Sequence, residues 1–209
     1  MSQPLTLSSL PLFPLGTVLF PGGVLPLRVF EVRYLDMIGK VHKAGAPFGV
    51  VALTQGSETR RPGAPDESFS AVGTLATIAE MDSPRPGLLT VRCHGTQRFR
   101  IAASEKLPHG LWVADIEHMD DDKAVAIPPD LQGTSDALRN LIETLRARQG
   151  AEPLPLEEPF LLDDCGWVAN RWCELLPLPV QLKQRLMELD NPLVRLELVS
   201  DVLARTGIA

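Results

Sequence analysis

Three groups of side chains in this 209-residue chain could do chemistry, and their spacing limits what that chemistry can be. Cys93 and His94 place a nucleophile beside a base, but neighbours on a strand point to opposite faces, so they cannot form a simple Cys-His pair. Cys165 and Cys173 lie eight apart on a stretch with helical period and face one way, yet no histidine is close in sequence to complete a metal site. Core packing accounts for all three cysteines. The second group is basic: Arg92, His94, Arg98 and Arg100 leave one outward face if the strands on either side of Gly95 pair across a turn there. The third is Glu31, Arg33 and Tyr34, at the point where strand gives way to helix. There a carboxylate can satisfy orphan N–H groups while Arg33 pairs with it or with a neighbour.

Composition narrows the field further. Hydrophobic residues make up 44% of the chain, ample for a packed core. The net charge of -6 opposes general attraction to nucleic acid or to an anionic membrane. Intramolecular ion pairs with Glu80, Asp82 or Asp115 therefore explain the basic group more simply than RNA does, and no interleaved aromatics offer bases a stacking surface. No G-x-x-x-x-G-K-[ST] occurs, so there is no backbone cradle or lysine for nucleotide phosphates, and we expect no cofactor and no metal. Prolines at 4, 11, 14, 21 and 26 and the lack of a basic N-terminal run disfavour a secretory signal or a spanning helix. Three scattered cysteines agree with reduced thiols, so the expected location is the cytoplasm.

The elements that must position these groups can be read from periodicity. Residues 10–118 carry strand period, with an apolar run at 24–29, small and β-branched residues at 72–81, and clean alternation at 88–94. Residues 82–87 read as a hairpin connection and Gly95-Thr96-Gln97 as another turn. Phe99 and Ile101, then Trp112, Ala114 and Ile116, mark two further strands. One helix interrupts this half at about residues 33–44, with Tyr34, Met37, Ile38 and Val41 at helical spacing and Gly45 as its stop. The Gly- and Pro-rich segment 54–68 reads as a flexible loop.

After Asp120-Asp121-Asp122-Lys123 the pattern becomes helical. Ala137, Leu138, Leu141, Ile142 and Leu145 form one stripe; Val168, Trp172 and Leu175 a second; Leu182, Leu186 and Leu189 a third; Leu196, Val199 and Leu203 a fourth. Thr134 or Ser135 is placed to cap the first helix and Asp163 or Asp164 the second. Pro179 suits the first position of the third, and Asn191-Pro192 a cap and first position of the fourth. Segment 150–159, with three prolines, reads as an extended linker. Trp167 and Trp172 lie about 140° apart on one helix, so both cannot centre on the same core face.

From Leu10 to Tyr34 the chain reads LPLFPLGTVLFPGGVLPLRVFEVRY. This resembles the opening of the Lon protease N-terminal, or substrate-binding, domain, whose pattern is approximately LPLFPL, then LFPG, then FE-x-RY. Gly73-Thr74-Leu75-Ala76 is similar to that family's G-T-x-A strand, and Gly95-Thr96-Gln97-Arg98-Phe99-Arg100-Ile101 to its G-x-x-R-F-R-I element. The resemblance implies an α+β fold: a PUA-like mixed β-barrel or sheet with one helix over residues 1–122, followed by a C-terminal four-helix domain over 123–209. It implies a non-enzymatic module that binds unfolded or extended polypeptide, with a separate protease or adaptor as a further partner. Nucleic acid is a disfavoured partner, and no membrane partner is expected. The chain shows neither the ATPase motif nor a segment resembling the Lon peptidase serine motif, and 209 residues leave no room for either module. The expected binding residues are Phe20, Phe30, Glu31, Arg33 and Tyr34, flanked by loop 54–68. An adaptor, an RNA-binding PUA-like module using Arg92, His94, Arg98 and Arg100, and a small-molecule enzyme are the alternatives.

Overall fold

Alternating and β-branched segments in the first half can bury one face only by pairing into a sheet, and they do so in an arrangement that closes on itself. The computed structural model describes residues 6–59, 63, 67–148 and 154–207. The chain divides into two compact units, Met1–Asp121 and Asp122–Ala209.

The first unit runs β1 (Thr6–Leu15), β2 (Val24–Val29), α1 (Val32–Ala44), β3 (Phe48–Gln55), β4 (Ser68–Arg85), β5 (Leu88–Lys106) and β6 (Trp112–His118). The strand order is β2-β5-β4-β3-β1-β6, and β6 pairs again with β5. Five strands, β5-β4-β3-β1-β6, thus form a closed ring, which removes most sheet edges. Only β1 and β3 are parallel; the other pairings are antiparallel. Among the described residues β2 pairs with β5 alone and lies outside the ring.

One long strand makes this possible. The leading half of β5 pairs with β2, from Leu89 opposite Val29 to His94 opposite Val24. Its trailing half pairs with β6, from Phe99 opposite His118 to Lys106 opposite Trp112. The change of partner falls at Gly95-Thr96-Gln97, where the sequence pattern suggests a turn. The structure instead continues the strand through a one-residue register shift, with Thr74 opposite Arg98 and Ala76 opposite Gly95. A bulge of this kind bends a strand without ending it. Likewise the connection expected over 82–87 tightens to Pro86-Gly87, because Arg85 already pairs with Leu88. Proline followed by Gly87 at φ 77° suits a two-residue turn that needs a positive φ.

The sequence motifs meet at this change of partner. Gly95 N–H donates to Gly23 O at 2.8 Å, and Gly22 N–H donates to Gly95 O at 2.8 Å. A Cβ on Gly95 would lie 2.3 Å from Phe20 O, so the 20–23 turn can dock only against glycine. Thr74 Oγ1 donates to Leu19 O at 2.6 Å. Phe99, fully buried, fills the space above Gly49 and Gly73, where added Cβ atoms would each come within 2.7 Å of its ring. It centres a cluster with Leu10, Leu12, Val51, Leu75, Ala114 and Ile116. A second cluster packs the buried face of α1, namely Tyr34, Met37, Ile38 and Val41, against Phe13, Leu15, Val29, Phe48 and Val91. Helix α1 ends where expected, with Gly45 at φ 61° in the left-handed region.

The second unit holds α2 (Gln132–Arg148), preceded by a short 3-10 turn at Pro129–Leu131, then α3 (Cys165–Leu175), α4 (Val180–Glu188) and α5 (Pro192–Thr206). Asp164 caps α3 by accepting from Trp167 N at 2.8 Å, and Asn191 caps α5 through Leu193 N and Val194 N. The expected cap of α2 is displaced: the helix starts at Gln132, so Thr134 and Ser135 are buried inside its first turn, where their hydroxyls donate to Leu131 O and Leu162 O. The stripe expected on α4 also shifts. Leu182 is exposed, and Gln184, Leu186 and Met187 face inward. Segment 150–159 lies partly outside the described residues; within it Leu156 is buried.

Arg195 organises this unit. Fully buried, it donates to Leu186 O at 2.9 Å, Asn170 Oδ1 at 3.0 Å and both oxygens of Asp122, and to Leu189 O. Trp172 is buried and its Nε1 donates to Thr134 O, whereas Trp167 stays half-buried beside Phe160 and Arg171. Among the described residues no helix is long and apolar enough to cross a membrane.

Candidate functional site

Among the described residues strand β2 has one paired edge and one open edge, and its phase follows from a single contact. Gly23 O accepts from Gly95 N–H, so Gly23 opposite Gly95 is a hydrogen-bonded position. With a period of two, Leu25, Leu27 and Val29 then spend their main-chain groups on β5, and Val24, Pro26 and Arg28 turn theirs to the open side. Pro26 has no N–H, and a proline inside a strand is tolerated where that missing donor faces outward.

Along this edge runs a cavity of about 300 Å3 lined by every residue from Leu25 to Glu31. Its other wall is Phe13, Leu15 and Thr17 from β1 and the turn after it, with Tyr34 of α1 beneath and Glu58 and Thr59 at the rim. Phe13 and Tyr34 stack with centroids 4.1 Å apart and planes 15° apart, which makes a rigid aromatic floor. Phe30 is 56% exposed and Val32 80% exposed, an apolar pair held in solvent where β2 meets α1.

The charged groups at this junction are committed inward. Arg33 is buried, donates to Gly110 O at 2.7 Å, and ion-pairs with Glu31 and Glu67 at 3.3 Å each. Its guanidinium also sits 4.5 Å from the Tyr34 ring centroid. Glu31 is the N-cap of α1 by backbone position but its carboxylate makes no cap bond, so the expected capping role passes to the ion pair with Arg33. Glu67 also accepts from Lys106 Nζ at 3.0 Å and Trp112 Nε1 at 3.4 Å. Burial alone would push its carboxyl up; the bonds from Lys106, its own main chain and Trp112 outweigh that and hold it at about 2. Burial drives the Tyr34 hydroxyl well above its usual range, so it stays protonated. Glu58 accepts from Gly16 N–H at 2.6 Å and so tethers the start of the 54–68 loop to the groove wall. Residues 60–62 and 64–66 of that loop lie outside the described residues.

Of the five residues expected to bind, Phe30, Glu31 and Tyr34 line the groove. Phe20 and Arg33 do not. Phe20 is fully buried behind the turn that docks on Gly95, and Arg33 is the buried ion-pair centre that holds the junction rigid. Arg28, Phe13 and Leu15 belong to the lining and were not marked by the sequence pattern, whereas Glu58 and Thr59 come from the loop expected to flank it. The signal that could have found the edge is Pro26 inside an otherwise apolar strand.

The alternative basic face does not form. The one-residue shift between Gly95 and Arg98 rotates Arg98 inward, where it is 4% exposed and donates to Asp120 O at 3.2 Å, while Arg100 remains exposed opposite Glu117. Arg92 and His94 lie on the half of β5 that pairs with β2. Cys93, Cys165 and Cys173 are buried free thiols, and burial pushes Cys93 and Cys173 up to about 12. Among the described residues no cluster of three or more His, Cys, Asp or Glu side chains is arranged to hold a metal ion.

The described residues thus form an α+β architecture, with a closed mixed ring and one open edge in the first unit and helices in the second. The family model of the ATP-dependent protease La (LON) substrate-binding domain matches residues 9–205, and the chain belongs to that family. It is 29% identical over 197 residues to a Lon protease of Paraburkholderia phytofirmans, covering 90% of this chain and 23% of that protein. A Lon protease of Heliobacterium modesticaldum is 27% identical, with 96% and 24% covered. The chain therefore spans about a quarter of the length of these relatives. Among solved structures, a Lon N-terminal domain protein from Xanthomonas campestris superposes with a TM-score of 0.71 at 32% identity, covering 93% of this chain and 98% of that one. The N-terminal domain of a Mycobacterium avium complex Lon protease shares the fold at 18% identity, with a TM-score of 0.58.

Proposed function

We propose that this protein holds extended polypeptide segments by adding them as a strand to the open edge of β2, with apolar side chains seated in the groove over Phe13 and Tyr34. The observation that carries the reading is the coincidence of groove and edge. The cavity follows seven consecutive residues of one strand and its exit, Leu25 to Glu31, rather than one face of it. A site of this kind takes affinity from the main chain and selectivity from alternate side chains, which suits many polypeptides and no single sequence. Membership of a substrate-binding family supports the same reading. The module needs no catalytic group of its own for this role.

The test is fluorescence anisotropy of a labelled, permanently unfolded polypeptide titrated with the purified protein. Phe30→Ala removes an exposed contact and should weaken binding about fivefold to tenfold while the chain stays folded. Arg28→Pro deletes the outward N–H of β2 and should weaken binding about fivefold beyond Arg28→Ala, the loss of one net main-chain hydrogen bond. Saturable binding that neither Phe30→Ala nor Arg28→Pro alters would overturn this placement. No binding of the polypeptide at all, with a small ligand filling the groove instead, would overturn the polypeptide reading itself.

A further inference from the structure

A second cavity adjoins the groove, and its chemistry differs. About 620 Å3 in volume, it is lined by Arg28 and Phe30 from the β2 end and by Arg85, Pro86, Gly87 and Leu88 from the β4–β5 hairpin. Arg28 and Phe30 line both spaces, so the two adjoin at the end of β2. The arginines are the point of interest. Elsewhere in this unit the buried or half-buried cations are already paired: Arg33 with Glu31 and Glu67, and Lys106 with Glu67. Arg28 and Arg85 are exposed, and their side chains have no ion-pair or hydrogen-bond partner among the described residues. Of the acidic groups of the first cavity, Glu31 is ion-paired with Arg33, and Glu58 accepts from Gly16 N–H; neither lines the second cavity. Two guanidiniums thus line one cavity on a chain of net charge -6.

Resting on the strand-addition reading above, we infer that this end of the groove is a carboxylate subsite. The occupant it fits is an extended polypeptide whose Asp or Glu side chain reaches Arg28 and Arg85 while a neighbouring apolar side chain lies against Phe30. Geometry supports the pairing. Pro26, Arg28 and Phe30 are the exposed, alternating positions at the end of β2, so apolar and cationic contacts lie two residues apart on one face. Gly87 holds the hairpin turn, which carries Arg85 to the same space. Guanidinium groups recognise carboxylates with directional, paired N–H donors, and lysine could not substitute at both positions without losing that geometry. A predominantly neutral, apolar segment binds without the subsite; an acidic residue in register adds to it.

The experiment uses three labelled peptides of one apolar, strand-forming sequence, amidated at the C-terminus, with Glu, Gln or Lys at a single position. The Glu peptide should bind about fivefold more tightly than the Gln peptide, and the Lys peptide more weakly than either. The difference should shrink at high salt. Arg85→Gln, which changes an exposed hairpin residue outside the first cavity, should erase the Glu preference while leaving the affinity for the Gln peptide as it was. Charge reversal, Arg85→Glu, should make the Lys peptide the preferred ligand. If all three peptides bind equally, the carboxylate subsite is wrong and the strand-addition reading survives. If the Glu preference persists in Arg85→Gln and Arg85→Glu, the subsite is elsewhere and the inference fails. If no peptide binds, both fail together.

Discussion

Glu67 is the side chain whose removal tests the architecture of the groove junction most sharply. Its carboxylate is only 8% exposed and is shared by Arg33, Lys106 and Trp112, so it ties the start of β4 to α1, β5 and β6. A carboxyl held at about 2 against an ordinary 4.5 binds its proton more weakly when folded than when unfolded. Its stabilising effect is therefore fully present above 4.5 and is lost as the pH falls from there to about 2. At about 1.4 kcal/mol per tenfold change, the difference sets a ceiling of about 3 kcal/mol, and partial access to solvent brings the expected value nearer 2 kcal/mol. Glu67→Gln keeps the shape, removes the charge, and leaves Arg33 with Glu31 and Gly110 O alone. Urea unfolding followed by circular dichroism should show the variant less stable by about 2 kcal/mol at neutral pH, with the gap closing below about pH 3. A gap that stays constant through that window would show that shape and not charge is responsible. No gap at neutral pH would mean that the four-sided contact contributes nothing, and the account of a rigid junction would fail.

Other outcomes follow from the same geometry. Gly73→Ala places a Cβ 2.4 Å from Val50 O and against Phe99, and should cost about 3 kcal/mol or more in chemical denaturation. Tyr34→Ala, which empties the stack on Phe13, should destabilise by about 3 kcal/mol, whereas Phe30→Ala should change stability by no more than about 0.5 kcal/mol. Binding losses are interpretable in the second variant alone. Asp122→Asn deprives a fully buried Arg195 of its counter-charge, and the thermal transition of the helical unit should fall by the equivalent of about 3 kcal/mol. Thiol reagents at pH 8 should label Cys93 and Cys173 no faster than the unfolding rate, since both are buried thiols held near 12.

Much of the fold was legible because local signals agreed with the global pattern. The α1 stripe of Tyr34, Met37, Ile38 and Val41 is buried as its spacing implies, and Asp164, Gly45 and Asn191-Pro192 mark helix ends where their chemistry places them. What periodicity misread was register. Gly95 looks like a turn because glycine punctuates chains, but here it is glycine because Phe20 O occupies the space a side chain would take. That contact joins residues 75 apart, and no local window contains it. The same bulge dissolved the basic face, since one inserted residue reverses the direction of every side chain beyond it. Thr134 and Ser135 have cap-forming side chains but were drawn inside α2, because Leu131 O and Leu162 O accept their hydroxyls there. The candidate groove was half legible. Phe30 and Tyr34 were found through a motif, whereas Phe13, Leu15 and Arg28 became part of it only when β1 and β2 were folded onto opposite walls.

Pro26 gives the open edge of β2 a phase. An incoming strand can be opposed to β2 in several alignments, but in each the carbonyl that falls opposite the proline nitrogen finds no donor. Sliding by one residue exchanges the side chains that face the groove for those that face away; sliding by two restores them and moves the unanswered carbonyl two residues along. A polypeptide bound at this edge would thus be sorted by where it stops as well as by the side chains it presents. Segments that carry a proline, a glycine kink or a turn just beyond that carbonyl lose least, and long uniform strands gain no advantage from their length. A proline on an open edge also withholds one of the donors that a second copy of the chain would need in order to pair there.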